Sequence, residues 1–373
     1  MPETNIPMLD IAAQHAPIQA QLRVAIDEVL ESHHYINGPQ VGLLESAVAA
    51  YCGCEEGVGV SSGTDALLLT LMALGIGPGD EVITSPYTFF ATAGSIWRTG
   101  ARPVFVDILP DTFNLDPGRV EAAITSRTRA IMPVHLFGQV AQMDPLLEVA
   151  RTHDLQVIED AAQSIGALHS GRQAGSMGVA GCLSFFPSKN LGAMGDAGMV
   201  VTRDKELAER MRVLRAHGSK PKYFHSLVGG NFRLDTLQAA VLLVKLPYLP
   251  AWSEQRRHNA ALYDTLLADI PQVTTPPVRP ENFSIFNQYV IRAESRDELG
   301  AFLKGQGVAT AIYYPRPLHL QGCFTELGYK LGDFPVSEHA ALQTLALPIY
   351  PELGAEGVSR VAVAVRAFYR QTA

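Results

Sequence analysis

Apolar residues recur along this chain in two rhythms that alternate. Short runs rich in β-branched and aliphatic residues, EVITS (Glu81–Ser85), ARPVFVD (Ala101–Asp107), RAIMPVH (Arg129–His135) and LQVIED (Leu155–Asp160), read as strands. Between them lie stretches with helical spacing at Thr88–Thr99, Pro117–Ser126 and Met143–His153. Such alternation predicts an α/β fold, a mainly parallel sheet with helices on both faces, in which ligands gather outside the carboxyl ends of the strands.

The flanking segments extend this pattern. An amphipathic helix over Pro17–His33, a turn at Ile36–Gln40 and a short helix over Val41–Tyr51 precede GVGVSSGTDALLLTLMALG (Gly57–Gly75), where a strand ends in Ser61-Ser62-Gly63-Thr64 and an apolar helix starts at Asp65. Further on, CLSFF and GMVVT read as short buried strands around a Gly-rich connection within Ala180–Thr202. Arg215–Asp235 has loop composition, and RLDTLQAAVLLVKL returns to a helix. Leu249–Asp269 reads as a long helix with a charged face at Glu254, Arg256 and Arg257, followed by the Pro-rich link Pro271–Asn282. Beyond it IFNQYVIRA, a helix at Ser295–Gly305, VATAIYY, and helices near Pro335–Thr344 and Gly354–Tyr369 predict a smaller α+β unit. The expected division is a large domain over residues 1–250 and a small one over 251–373.

Composition narrows the function classes. The 373 residues are 47% hydrophobic and 18% charged, ordinary for a globular chain. The net charge of -8 is spread over 29 basic and 37 acidic residues without a basic block, which argues against nucleic acid as a partner. Cys52, Cys54, Cys182 and Cys323 lack the paired spacing of a zinc site and fit a reducing compartment, so no metal is expected. With no signal-like N-terminus and no uncharged run of ~18 residues, a membrane span is disfavoured and a cytoplasmic location is expected.

Candidate chemistry concentrates at the strand exits. Lys189 lies on the uncharged loop between CLSFF and GMVVT, where partial desolvation lowers the pKa of an amine and leaves it a nucleophile able to form a Schiff base. Taken alone, a lysine in a Gly-rich turn is ordinarily a solvated one. Gly63 and Thr64 precede a helix N-terminus suited to a phosphate, although Thr64 also fits a plain N-cap. Asp160 ends the strand VIED and could cap the following turn. Together the three match the needs of pyridoxal phosphate: a lysine for the aldehyde, an anion cradle, and an acid that keeps the pyridine nitrogen protonated. Phe89 is placed to cover a ring face, and Gln163 to bond the ring hydroxyl.

SSGTDAL, YTFFATA, IEDAAQS, SFFPSKNLGAMGDAG and GGNFRLDTLQAA jointly resemble the DegT-type nucleotide-sugar aminotransferases, fold type I pyridoxal phosphate enzymes, across the chain from INGPQ to LALPIYPEL. The resemblance implies a central sheet of the seven-stranded type, with Lys189 as the Schiff-base lysine and Asp160 as partner of the pyridine nitrogen. It further implies Gln163 near the ring hydroxyl, Phe89 as the stacking aromatic, and Gly63, Thr64 and Ser184 as phosphate contacts. Asn231 matches a residue that reaches the phosphate of the neighbouring subunit, which implies a homodimer with shared active sites. Tyr313, Tyr314 and His319 match the substrate-side loop, with Tyr313 where many members carry His. Arg233 reads either as a contact for a diphosphate or sugar carboxylate or as a brace of the dimer interface.

The implied reaction is ping-pong. L-Glutamate displaces Lys189 from its internal aldimine, leaves as 2-oxoglutarate and gives the pyridoxamine phosphate form, which then aminates a UDP- or dTDP-linked 3-keto or 4-keto hexose for glycan or secondary-metabolite synthesis. Lys189 argues against the related sugar dehydratases, which carry histidine there, and no G-x-G-x-x-G turn supports a dehydrogenase. A non-catalytic cofactor-binding regulator on the same scaffold is the remaining alternative.

Overall fold

The order of strands in the central sheet follows from where each apolar run can be buried. In the computed structural model, which describes residues 5–372, the seven strands lie in the order Glu56–Val60, Gly198–Thr202, Ala180–Ser184, Gln156–Asp160, Thr128–Met132, Glu81–Thr84, Arg102–Phe105. Gly198–Thr202 runs antiparallel to both neighbours, and the other pairs are parallel. Side chains alternate across the sheet. Ile83, Ile131, Val157, Leu183, Met199 and Val201 join one apolar cluster; Val82, Ala130, Met132, Ile158, Cys182 and Val200 join the other. Both faces are therefore covered, which is why these strands read as unbroken apolar runs.

A third cluster gathers Tyr263, Tyr289, Ile291, Leu345 and Val361 around a three-stranded antiparallel sheet of Val273–Thr274, Tyr289–Ala293 and Thr344–Leu347. Ile6 packs into it and pairs with Val308, so the start of the described chain touches the C-terminal region. Among the described residues no helix is long and apolar enough to cross a membrane.

Several expectations are corrected. Pro117–Ser126 holds only the 3₁₀ turns Pro117–Arg119 and Glu121–Ala123, started by the Asp116 carboxylate, which accepts from the Gly118 N–H. The apolar helix spans Gly63–Ala73 rather than starting at Asp65, and its N-cap is Ser62, not Thr64: Ser62 is extended and its hydroxyl accepts from the Asp65 N–H. VATAIYY pairs only at isolated bridges, Val308 with Ile6 and Ala311 with Ala346, and Thr344 opens a strand instead of ending a helix.

Arg256 is the sharpest of these corrections. It does not lie on a charged face but is 2% exposed, on the inner stripe that also carries Trp252, Asn259, Ala260 and Tyr263 of the helix Leu249–Leu267. Its guanidinium donates to the carbonyls of Ile349 at 2.8 Å and Phe286 at 3.2 Å, tying the helix to the strand-rich region. Arg256→Ala strands these carbonyls and opens a cavity. The expected loss is about 3 kcal/mol or more of unfolding free energy, read as a lower denaturant midpoint; an unchanged midpoint contradicts the bracing role.

Candidate active site

The parallel strands Glu81–Thr84 and Gln156–Asp160, and Ala180–Ser184 beside them, point their carboxyl ends at one cavity of about 500 Å³. Its lining brings together Gly63, Thr64, Phe89, Asp160, Gln163, Ser184, Lys189, Tyr313 and Tyr314 from distant parts of the chain.

Lys189 sits on a tightly braced loop. The Ala193 N–H donates to Phe185 O at 2.8 Å and the Lys189 N–H to Phe186 O at 2.8 Å. Asn190 is buried, donating to Ile285 O at 3.2 Å and accepting from Asn287 at 2.8 Å. At Gly192 a Cβ would come within 2.3 Å of Pro187 O, so the loop closes only with glycine there. Lys245 Nζ, itself buried, donates to Gly192 O at 2.5 Å. The half-buried Lys189 is thus presented from a fixed backbone. Desolvation pulls its amine down to about 8, against the nearby Asp160 carboxylate, which raises it. Near neutrality a usable share of the amine is unprotonated.

Asp160 lies at the cavity floor, 4% exposed. Burial raises its pKa; hydrogen bonds from the Thr92 hydroxyl (2.7 Å) and the Ala162 N–H (3.2 Å), together with the charge of Lys189, lower it. On the opposite side the helix Gly63–Ala73 opens towards the cavity. A Cβ at Gly63 would lie 2.6 Å from that of Ser184, and one at Gly198 would lie 2.5 Å from the Ser62 carbonyl carbon. The missing side chains bring helix start and strand ends into contact, leaving backbone N–H groups, Thr64 and Ser184 as an anion cradle.

Phe89 is 57% exposed into this space, its ring 6.2 Å from that of Tyr314. Gln163 accepts from the Phe137 N–H at 2.8 Å and donates to the Tyr314 hydroxyl at 3.0 Å, so one amide hydrogen remains for a ligand. The Tyr87 hydroxyl holds the Tyr313 carbonyl at 2.6 Å and so pins the Tyr313–Tyr314 segment.

Three expected residues lie outside the cavity lining. Asn231 is exposed, with its backbone bridged to Ala216. Arg233 is half-buried, bridged to Val60, and its Nε is buried without a hydrogen-bond partner among the described residues. His319 is 2% exposed, its Nε2 2.9 Å from Glu338 and its ring against Phe334. Conversely, the structure adds Thr88, Gln288 and Asp196 to the lining and Thr92 behind Asp160. Both threonines lie in YTFFATA, but the bond of Thr92 to Asp160 spans 68 positions of sequence.

The chain as a whole is similar to known proteins. The model of the DegT/DnrJ/EryC1/StrS aminotransferase family matches residues 17–366. The "Pleiotropic regulatory protein" of Geobacillus stearothermophilus is 53% identical over 371 residues, 99% of this chain and 100% of that one. The UDP-N-acetyl-3-dehydro-alpha-D-glucosamine 3-aminotransferase of Acidithiobacillus ferrooxidans is 45% identical, covering 97% of this chain and 98% of its own. Among solved structures, S. venezuelae DesV in complex with a ketimine intermediate superposes with a TM-score of 0.96 at 44% identity, over 98% of both chains. With its family match spanning nearly its whole length, the chain belongs to the DegT/DnrJ/EryC1/StrS aminotransferase family.

Proposed function

We propose that this aminotransferase uses pyridoxal phosphate to move the amino group of L-glutamate to a keto-sugar nucleotide, a UDP- or dTDP-linked hexose with its ketone at carbon 3 or 4. The observation that carries the reading is the convergence of Lys189 and Asp160 on one cavity that is also lined by the helix start at Gly63 and Thr64 and by Ser184 at the end of the strand packed against it. The sugar assignment rests on the named chemistry of the 45%-identical relative. Carbon 3 is favoured on that ground.

When bound, the cofactor supplies an electron sink for the charge that develops at the donor α-carbon. Lys189 Nζ would hold the cofactor through its aldehyde and, with its amine free, would be the base that carries the donor α-proton. Asp160 pairs with the ring nitrogen and keeps its proton in place. Gly63, Thr64 and Ser184 hold the phosphate, Phe89 covers one ring face, and Gln163 spends its free amide hydrogen on the ring hydroxyl. Tyr313 and Tyr314 border the space left for the sugar. Asn231 of a second copy completes the phosphate site in a homodimer, which accounts for its exposure away from the cavity of its own chain. Arg233 and His319 act from outside the lining, Arg233 either towards a diphosphate or sugar carboxylate or as a brace of the dimer interface, and His319 by holding the loop that follows Tyr314 through Glu338.

A regulatory reading draws on the name of the 53%-identical relative. One measurement separates the two. The visible spectrum of the purified protein is recorded before and after L-glutamate, without sugar. Replacement of the bound pyridoxal phosphate band by that of pyridoxamine phosphate, reversed by a keto-sugar nucleotide, is the expected result. A band that glutamate and other amino acids leave unchanged favours the non-catalytic regulator.

A further inference from the structure

From the cavity wall to Asp160 runs a line of buried hydroxyls, both within YTFFATA, to which the sequence assigned no role. Thr92, in the helix Ala91–Arg98, is 0% exposed, and Thr88, in the preceding loop, is 2% exposed. Thr92 Oγ1 lies 2.7 Å from Asp160 Oδ2, and Thr88 Oγ1 lies 3.1 Å from Thr92 Oγ1. A threonine in a first helical turn ordinarily bonds its own local backbone. Here the hydroxyl is committed to a tertiary contact instead.

The polarity of this line follows from elementary chemistry. An ionised carboxylate only accepts, and a hydroxyl has one hydrogen. Thr92 therefore gives its hydrogen to Asp160, and Thr88 gives its own to Thr92, each bond polarising the next. The Ala162 N–H occupies the other carboxylate oxygen at 3.2 Å. The titratable groups around Asp160 are Lys189, His135, Cys182 and Tyr314; none of them hydrogen-bonds the carboxylate, His135 being engaged with Glu159 and the Tyr314 hydroxyl with Gln163. That leaves the hydroxyl line and one backbone N–H as the fixed donors opposing the cost of burying the carboxylate.

We propose that Thr92, polarised by Thr88, is a positioning residue that holds Asp160 ionised and oriented, so that a proton shared with the cofactor ring stays on the ring nitrogen. The proposal rests on the reading of Asp160 as partner of that nitrogen. Loss of the Thr92 hydroxyl shifts the shared proton towards Asp160. A hydrogen bond to a charged group is worth enough to change that tautomer ratio about tenfold.

The test uses the holoenzyme loaded with pyridoxal phosphate carrying ¹⁵N in the ring, and reads the nitrogen chemical shift in wild type, Thr92→Val, Thr92→Ser, Thr88→Val and Asp160→Asn. The expected result places wild type and Thr92→Ser together, Asp160→Asn at the unprotonated end, and Thr92→Val between them. In that variant kcat is expected to fall about tenfold while KM for glutamate moves less than about twofold. Should Thr92→Val fail to fold, Thr88→Val carries the test, with a smaller shift in the same direction. A wild-type shift in Thr92→Val, or in Thr88→Val where that variant stands in, overturns the proposal if Asp160→Asn has moved. If Asp160→Asn itself keeps the wild-type shift, the reading of Asp160 falls first and takes this inference with it.

Discussion

Lys189→Ala is expected to abolish transamination, a loss of at least about 10⁴-fold, while leaving the capacity to bind pyridoxamine phosphate. Both halves of the expectation follow from the site. The contacts assigned to ring and phosphate come from Asp160, Gln163, Gly63, Thr64 and Ser184, none of which depends on the lysine side chain. The loop itself is held by backbone bonds and by Asn190 and Lys245, so alanine at its apex disturbs little else. What is removed is the amine that, in the proposed function, both tethers the cofactor and carries the proton. Lys189→Arg keeps a cation of similar reach but cannot surrender its proton, and is expected to be equally inactive. In the wild-type apoprotein, covalent capture of pyridoxal phosphate is expected to quicken as pH rises towards about 8, because the neutral amine is the reacting form. Turnover by Lys189→Ala in a coupled assay for 2-oxoglutarate would remove Lys189 from the mechanism.

The sheet was legible because both of its faces are buried, which makes each strand an unbroken apolar run between helices. The connections were less so. Pro117–Ser126 carries helical spacing, yet its residues close only single 3₁₀ turns: Gly118 weakens the segment as a helix and the chain is already extended at Ile124. Thr344–Leu347 is fully buried and follows a helix without a break, and a short apolar run of that kind has no period to separate strand from helix. Arg256 shows the opposite failure. Charge suggested an outer face, whereas its place four residues after Trp252 put it on the inner stripe. In the site, Lys189 and Asp160 stood out by residue type at strand exits. Thr88 and Thr92 did not, because their importance comes from a contact with Asp160 across 68 positions of sequence, which no local pattern encodes. Asn231 is a different case: the resemblance reads it as a residue for a second copy, and in its own chain it is exposed and outside the cavity lining.

Asp160→Asn is expected to lower kcat by about 10²- to 10³-fold with little change in cofactor affinity. Asparagine fills the same volume, and its Oδ1 can still accept from the Thr92 hydroxyl, with only the longer 3.2 Å bond from the Ala162 N–H lost where Nδ2 replaces the other oxygen. The Nδ2 group then faces the ring nitrogen as a donor. A donor in that position pairs with the unprotonated nitrogen, the reverse of what the carboxylate selects. The ring is left neutral, and the negative charge developing at the donor α-carbon loses its compensating positive centre. The barrier rises while the bound ground state is nearly unchanged, so the deficit should appear in kcat, with KM for glutamate within a few-fold of wild type. Single-turnover conversion of glutamate to 2-oxoglutarate isolates this half of the reaction. A near-normal rate there would show that the buried carboxylate does not govern the protonation of the ring, whatever its distance from Lys189. A protein that no longer retained pyridoxal phosphate would instead make Asp160 a binding residue first.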